Sequence, residues 1–156
     1  MASTASYKDQ YNRIKRWYER FSAINQGRSH DVSSENYLDE IYSFFQNCYH
    51  LKDWIKNDSS VPAHIQQSVE AYINSNRSLQ LCADICNSLK HLRLTSSRSG
   101  ENPAFGRKHF AVSLGSDVPT TISLKYEVDT DSGTVDAFNL ATDCMSAWDT
   151  FLQTNG

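Results

Sequence analysis

Apolar residues in the first part of the chain recur at steps of three and four, the spacing that places side chains along one side of an α-helix. The first set is Tyr7, Tyr11, Ile14, Tyr18 and Phe21. The second and longest set is Tyr37, Ile41, Phe44, Cys48, Leu51 and Ile55. The spacing predicts an amphipathic helix over 7–21 that stops by Gly27. It also predicts a long core helix that starts after a cap at Ser33 or Ser34 and ends near Asn57.

Two shorter helices are predicted between this core helix and residue 94. Pro62 is a favourable first residue for a helix that runs to about Asn74, and Ser75 or Asn76 can cap a fourth helix that runs to about Leu92. The inward side of the fourth helix is predicted to be Leu79, Cys82, Cys86 and Leu89. Its outward stripe is predicted to be Arg77, Gln80, Asp84, Asn87, Ser88 and His91.

After residue 94 the pattern changes from helical to extended. Residues 95–109 are rich in Ser, Gly, Asn and Pro, which predicts a surface loop. Alternating apolar residues over 110–138 predict a small antiparallel β-hairpin or three-stranded sheet, with the sequence DTDSG as a turn. Helical spacing returns over 139–153, where the inward residues are Leu140, Cys144, Ala147, Trp148 and Phe151.

These elements predict one mainly α domain over 1–156, because 156 residues are about the size of a single domain. An antiparallel bundle of four to five helices, built on 7–94, would carry the small β-hairpin or sheet before the C-terminal helix. The first ten residues contain no apolar segment, and no run of about 18 apolar residues occurs. We therefore expect a cytoplasmic protein that does not enter a membrane. The four cysteines are expected to be reduced, buried thiols.

The net charge of −3 conceals an uneven distribution of charge along the chain. Basic residues concentrate in the first helix and over 90–109, and the segment 127–149 is acidic. Arg side chains interleaved with Tyr and Trp can neutralise phosphates and stack on bases. The candidate nucleic-acid contacts are Arg13, Arg16, Arg20, Arg98, Arg107 and Lys108. The alternative is that these residues form an ordinary solvated surface.

Candidate catalytic residues lie on the polar stripes of the second and fourth helices. His91 and His50 are candidate acid or base groups because His titrates near neutral pH, with Asp84 as a charge partner and Asn87 beside them. The alternative is that both stripes are the solvated backs of amphipathic helices. Phosphate-binding glycine loops and the G-x-S-x-G nucleophile turn are absent from the sequence.

Metal binding is conceivable through Cys82, Cys86, Cys48 and His50, which are residue types that bind zinc. The paired Cys-x-x-Cys spacing of zinc sites is missing, however. The three cysteines also occupy positions where the apolar pattern calls for a small hydrophobic residue. We therefore predict structural thiols, with no metal and no cofactor.

Three segments carry a resemblance to a known family: YSFFQNCYHLKDWIKND (42–58), CADICNSLKHLRL (82–94) and the following SRSGEN. Over roughly 7–94 the chain resembles the HEPN superfamily of helical bundles, and it is similar to small bacterial and phage-associated proteins. Members of that superfamily include toxins and antiphage ribonucleases as well as nonenzymatic proteins. The catalytic HEPN signature is an Arg followed after four to six residues by His, and no such pair occurs in this chain.

The resemblance implies a noncatalytic HEPN-like binding or interaction module of a bacterial or phage defence or toxin–antitoxin system. It implies a homodimer, with a protein or RNA as a further partner. The alternative is a metal-independent ribonuclease that uses His91 with polar helix residues, so the sequence leaves open whether the chain is an enzyme.

Overall fold

The fold is described from a computed structural model covering residues 4–29, 34–91, 96–113 and 121–155, with the side chains of 4–27, 35–90, 96–109 and 123–155. The described residues form five helices and four strands. In chain order these are α1 Tyr7–Gln26, β1 Arg28–Ser29, α2 Ser34–Asn57, α3 Ala63–Asn74, α4 Arg77–His91, β2 Ala104–Ser113, β3 Thr121–Thr130, β4 Gly133–Asp136 and α5 Ala137–Asn155. The predicted mainly α fold, with a small antiparallel sheet before the last helix, is confirmed.

Local signals in the sequence fix both ends of α1. The Ser6 hydroxyl accepts from the Lys8 backbone N–H, and the Asp9 carboxylate accepts from the Ser6 N–H, which together make a capping box. At the other end Gly27 has a φ of 117°, a conformation that other residues rarely adopt. The predicted stop at Gly27 is therefore confirmed, and α1 runs five residues beyond the predicted end at Phe21, to Gln26.

The apolar stripes predicted for the long helices form the core. All six stripe residues of α2, from Tyr37 to Ile55, are at most 1% exposed. Trp148 of α5 is also buried, and its indole N–H donates to the Cys48 carbonyl of α2 at 3.1 Å. The helices of the described chain include none that is both long enough and apolar enough to span a membrane.

The middle of α4 differs from the prediction. Residues 81–86 are all buried, so this turn and a half of helix is covered on every side. The prediction that Asp84 lies on an outward stripe is wrong, because its exposure is 0%. Residues 98 and 99, which follow α4 in the chain, fold back over Asp84. The spacing of residues along the sequence does not predict a contact of this kind. Arg77, at the start of the same predicted stripe, is exposed.

The sheet is antiparallel and centred on β3. Strand β2 pairs with one edge of β3, while β4 and the two-residue β1 pair with the other edge. The sequence did not predict β1. The β3–β4 turn contains Gly133 with a φ of 137°, as expected for the glycine of a tight hairpin.

The predicted loop over 95–109 is too long, because β2 already begins at Ala104. The pairing of β2 with β3 shifts register between Phe105 and Lys108, which marks an irregularity around Gly106. A Cβ atom at Gly106 would overlap the carboxylate of Asp129 on β3. The glycine that suggested a loop therefore lies inside the strand, where it leaves room for the Asp129 carboxylate of the neighbouring strand.

Candidate functional site

Three of the four predicted catalytic residues have side chains that the structure describes, and these three do not contact one another through hydrogen bonds or ion pairs. His50 is exposed on α2, Asn87 is half-buried on α4, and Asp84 is fully buried. Among the described side chains no hydrogen bond or ion pair joins these three residues to one another. His91 is the last residue of α4, and its side chain lies outside the described residues.

The Asp84 carboxylate binds the backbone of the segment that follows α4. One oxygen accepts from the Arg98 N–H at 2.8 Å. The other accepts from the Ser99 N–H at 3.0 Å and from the Ser99 hydroxyl at 2.5 Å. A carboxylate that accepts three hydrogen bonds in a buried place has a structural role, since it satisfies backbone donors that would otherwise lack partners.

We call residues 96–103 the anchored segment, because other side chains fasten it as well. The Arg98 guanidinium donates to the Glu70 carboxylate at 2.7 Å, the Asn74 side chain at 3.0 Å and the Tyr49 hydroxyl at 3.3 Å. The Glu101 carboxylate accepts from the Ser132 backbone and hydroxyl at 2.8 and 2.7 Å. The segment therefore ties α2, α3 and α4 to the β3–β4 turn.

The Glu70 carboxylate forms ion pairs with Arg98, Lys52 and Lys56. Burial alone would raise its pKa, but hydrogen bonds from Arg98 and Lys56 and the charge of Lys52 outweigh this and lower the pKa to about 2. The same ion pair with Arg98 is 2.7 Å long, and both side chains are partly shielded from solvent. Glu70 is thus ionised throughout the ordinary pH range.

The predicted nucleic-acid contacts divide among three places. Arg98 is committed to the ion pair with Glu70 and does not lie on a free surface. Arg107 and Lys108 are exposed on β2, where the neighbouring His109 pairs with Glu127 at 2.9 Å. The remaining candidates, Arg13, Arg16 and Arg20, lie together on α1.

We define the basic–aromatic surface as Arg13, Arg16, Trp17 and Arg20 of α1 with Trp54 of α2. The Arg13 guanidinium lies 5.5 Å from the centre of the Trp54 ring, and that of Arg20 lies 4.8 Å from the Trp17 ring. Arg16 and Arg20 are exposed and the two indoles are half-buried. Within the part of the chain that the structure describes, none of these three arginines forms a salt bridge.

A cluster of three thiols lies in the core between α2, α4 and α5. The sulfur atoms of Cys48, Cys82 and Cys144 all lie within 4.8 Å of one another, and each residue is 0% exposed. The sequence had grouped Cys48 and Cys82 with Cys86 and His50 and had not included Cys144. The inward position of Cys144 was predicted. Its contact with Cys48 and Cys82 was not, because that contact depends on how α5 packs against α2 and α4.

The three thiols interact as one group. Burial raises the pKa of Cys82 and Cys144 well above the usual thiol value. Burial acts on Cys48 in the same direction, but hydrogen bonds from Cys144, Cys82 and Trp148 outweigh it and lower the Cys48 pKa. A proton lost from one of the three sulfurs therefore changes the pKa of the other two.

Comparison with models of known protein families, with curated proteins and with solved structures finds no match to this chain.

Proposed function

We propose that the chain is a noncatalytic binding module that contacts single-stranded RNA through the basic–aromatic surface. The observation that carries the proposal is the stacking of Arg13 and Arg20 on half-buried indoles, with no carboxylate paired to either guanidinium among the described residues. Arg13 donates one N–H to the Gln10 side-chain oxygen, and its remaining N–H groups, like those of Arg20, can bind a phosphate. An indole beside them offers a base a stacking partner.

A noncatalytic role is favoured over a ribonuclease by the places of two candidate residues. Both carboxylate oxygens of Asp84 bind the anchored segment, the residue is fully buried, and no described histidine side chain hydrogen-bonds to it. His50 is exposed and has no hydrogen-bonding partner among the described side chains. A general acid or base ordinarily sits beside a group that fixes its orientation or its pKa.

Single-stranded RNA fits this surface better than a duplex. On α1 the surface extends over eight residues, from Arg13 to Arg20, and the flat rings of Trp17 and Trp54 lie beside its charges. Unpaired bases can be splayed onto such rings, whereas the bases of a duplex are stacked on each other. The net charge of −3 makes binding depend on this local patch, so it should weaken steeply with salt.

The test is fluorescence anisotropy with a labelled single-stranded RNA of mixed sequence, at low and at physiological salt. We expect Arg16→Glu and Arg20→Glu each to weaken binding by about tenfold at low salt, because each replaces a phosphate contact by a repulsive charge. The matched control is Lys90→Glu, which makes the same charge change at an exposed position of α4 and should leave the Kd nearly unchanged.

Intrinsic fluorescence supplies a second readout of the same contact. Trp148 is 1% exposed, so quenching by bound RNA should come from Trp17 and Trp54. We expect Trp17→Phe to reduce the quenching. The proposal fails if the parent chain binds neither RNA nor DNA at low salt, or if the α1 variants and Lys90→Glu weaken binding equally.

The wider predictions remain part of this proposal. They are the HEPN-like character of the bundle, a place in a bacterial or phage defence or toxin–antitoxin system, the homodimer and the cytoplasmic location. Light scattering over a range of protein concentrations would measure the oligomeric state. A strictly monomeric chain would remove the homodimer from the proposal.

A further inference from the structure

Three helices that are distant in sequence each place one cysteine at the same point of the core. Cys48 comes from α2, Cys82 from α4 and Cys144 from α5, and no pair of their sulfur atoms is more than 4.8 Å apart. No fourth His, Cys, Asp or Glu among the described residues joins this set at the same separation. The result is a three-sulfur cluster that is fully buried.

We propose that Cys48, Cys82 and Cys144 form a binding site for a thiophilic metal ion, and that the ion is Cu(I). Soft thiolate ligands select Cu(I) and zinc over harder ions. Structural zinc almost always takes four ligands, whereas a trigonal set of three sulfurs satisfies Cu(I). The absence of a fourth ligand from this set, among the described residues, therefore favours copper.

The sulfur separations fit such an ion after a small adjustment. Metal–sulfur bonds of roughly 2.3 Å in a trigonal plane place the sulfurs about 4 Å apart. No pair therefore has to approach by more than about 0.8 Å from its limit of 4.8 Å, which rotation of the cysteine side chains can supply. The Cys82 and Cys144 thiols already meet the backbone carbonyls of Phe45 and Ser78 at 3.3 Å, so both side chains are held beside the cluster.

Binding replaces S–H bonds by S–Cu bonds, and each thiol that becomes a thiolate releases its proton to the solvent. Copper enters and remains as Cu(I), so no electron is transferred. Because all three sulfurs are fully buried, the ion has to enter while α2, α4 and α5 are transiently apart or while the chain folds. Once bound, it is shielded from water by the core, and it links three helices.

The test uses the full chain, reduced and handled without oxygen, in competition with a chromogenic Cu(I) chelator. We expect one copper per chain, a shell of three sulfurs by X-ray absorption at the copper edge, and a higher Tm with copper than without. A chain that takes no copper from the chelator, or a copper shell with nitrogen or oxygen ligands, would overturn the proposal.

Cysteine variants locate the site. Cys48→Ser, Cys82→Ser and Cys144→Ser should each weaken Cu(I) binding by more than about 100-fold, since loss of an outer-shell partner alone costs 10–100-fold. The matched control is Cys86→Ser, which removes a buried thiol one turn from Cys82 on the same helix and should leave copper binding unchanged. Circular dichroism of each variant without metal reports whether it folds.

The control also decides the outcome if the cluster variants do not fold. A folded Cys86→Ser chain that keeps one copper and three sulfurs supports the assignment, and one that loses copper overturns it. Zinc is tested in parallel. Preferential uptake of zinc with a four-sulfur shell that includes Cys86 would also overturn the three-thiol copper site.

Discussion

Arg98 of the anchored segment and Arg20 of α1 are in similar local settings but have different roles. Each guanidinium lies over an aromatic ring, Arg98 at 5.8 Å from the centre of Tyr49 and Arg20 at 4.8 Å from that of Trp17. Only Arg98 also meets a carboxylate, that of Glu70. Arg98 is half-buried and Arg20 is exposed.

The difference shows that a nearby carboxylate, more than the aromatic neighbour, decides what an arginine does. An exposed cation over a ring gains on the order of 0.5–1 kcal/mol and remains able to bind an anion. A guanidinium shared among Glu70, Asn74 and Tyr49 uses its donors within the protein. The anchored segment is therefore part of the framework, and the basic–aromatic surface is available to a partner.

The largest effect is expected from removal of the carboxylate beneath the anchored segment. Asp84→Ala should lower the free energy of unfolding by about 3 kcal/mol, because it leaves the backbone N–H groups of Arg98 and Ser99 without their buried acceptor. Urea denaturation followed by circular dichroism measures the loss. The control Asp53→Ala removes an exposed carboxylate from α2 and should change stability by less than about 0.5 kcal/mol. Equal losses would contradict a structural role for Asp84.

The second effect compares the two arginines directly. Arg98→Ala should destabilise the fold by about 1.5 kcal/mol, because hydrogen bonds to charged groups contribute more than neutral ones. Arg20→Ala should cost no more than about 0.5 kcal/mol, since it removes only an exposed contact with an indole. Both values come from the same denaturation measurement. If Arg20→Ala were as damaging as Arg98→Ala, the basic–aromatic surface would be part of the framework too.

The smallest of the three effects depends on pH. Glu70→Gln should cost about 1 kcal/mol at pH 7, a value reduced for solvent screening because the side chain is 35% exposed. The folded-state pKa of Glu70 is lowered to about 2, so its contribution is complete above its usual pKa of about 4.5. The contribution is lost as the pH falls from 4.5 towards 2. Denaturation curves of the parent and the variant should therefore converge in acid, and a constant gap would contradict the assignment.

Several features were predictable because the signals that produce them are local. The spacing of Tyr37, Ile41 and Phe44 identified the buried side of α2, and all three are buried. The glycine in DTDSG identified the β3–β4 turn, where Gly133 has a positive φ. Asn76 was one of two predicted caps for α4, and its side chain accepts from the Leu79 N–H at 3.2 Å.

The sequence by itself determined the five helices and the apolar side of each, because periodicity and caps act within a few residues. It missed β1 and the start of β2. It did not determine what covers the other side. The burial of Asp84, the pairing of Arg98 with Glu70 and the approach of Cys144 to Cys48 all join residues far apart in the chain. Only the packing of the helices and the anchored segment decided these contacts. The spacing of apolar residues shows which side of a helix faces the core, but it does not show which element packs against that side.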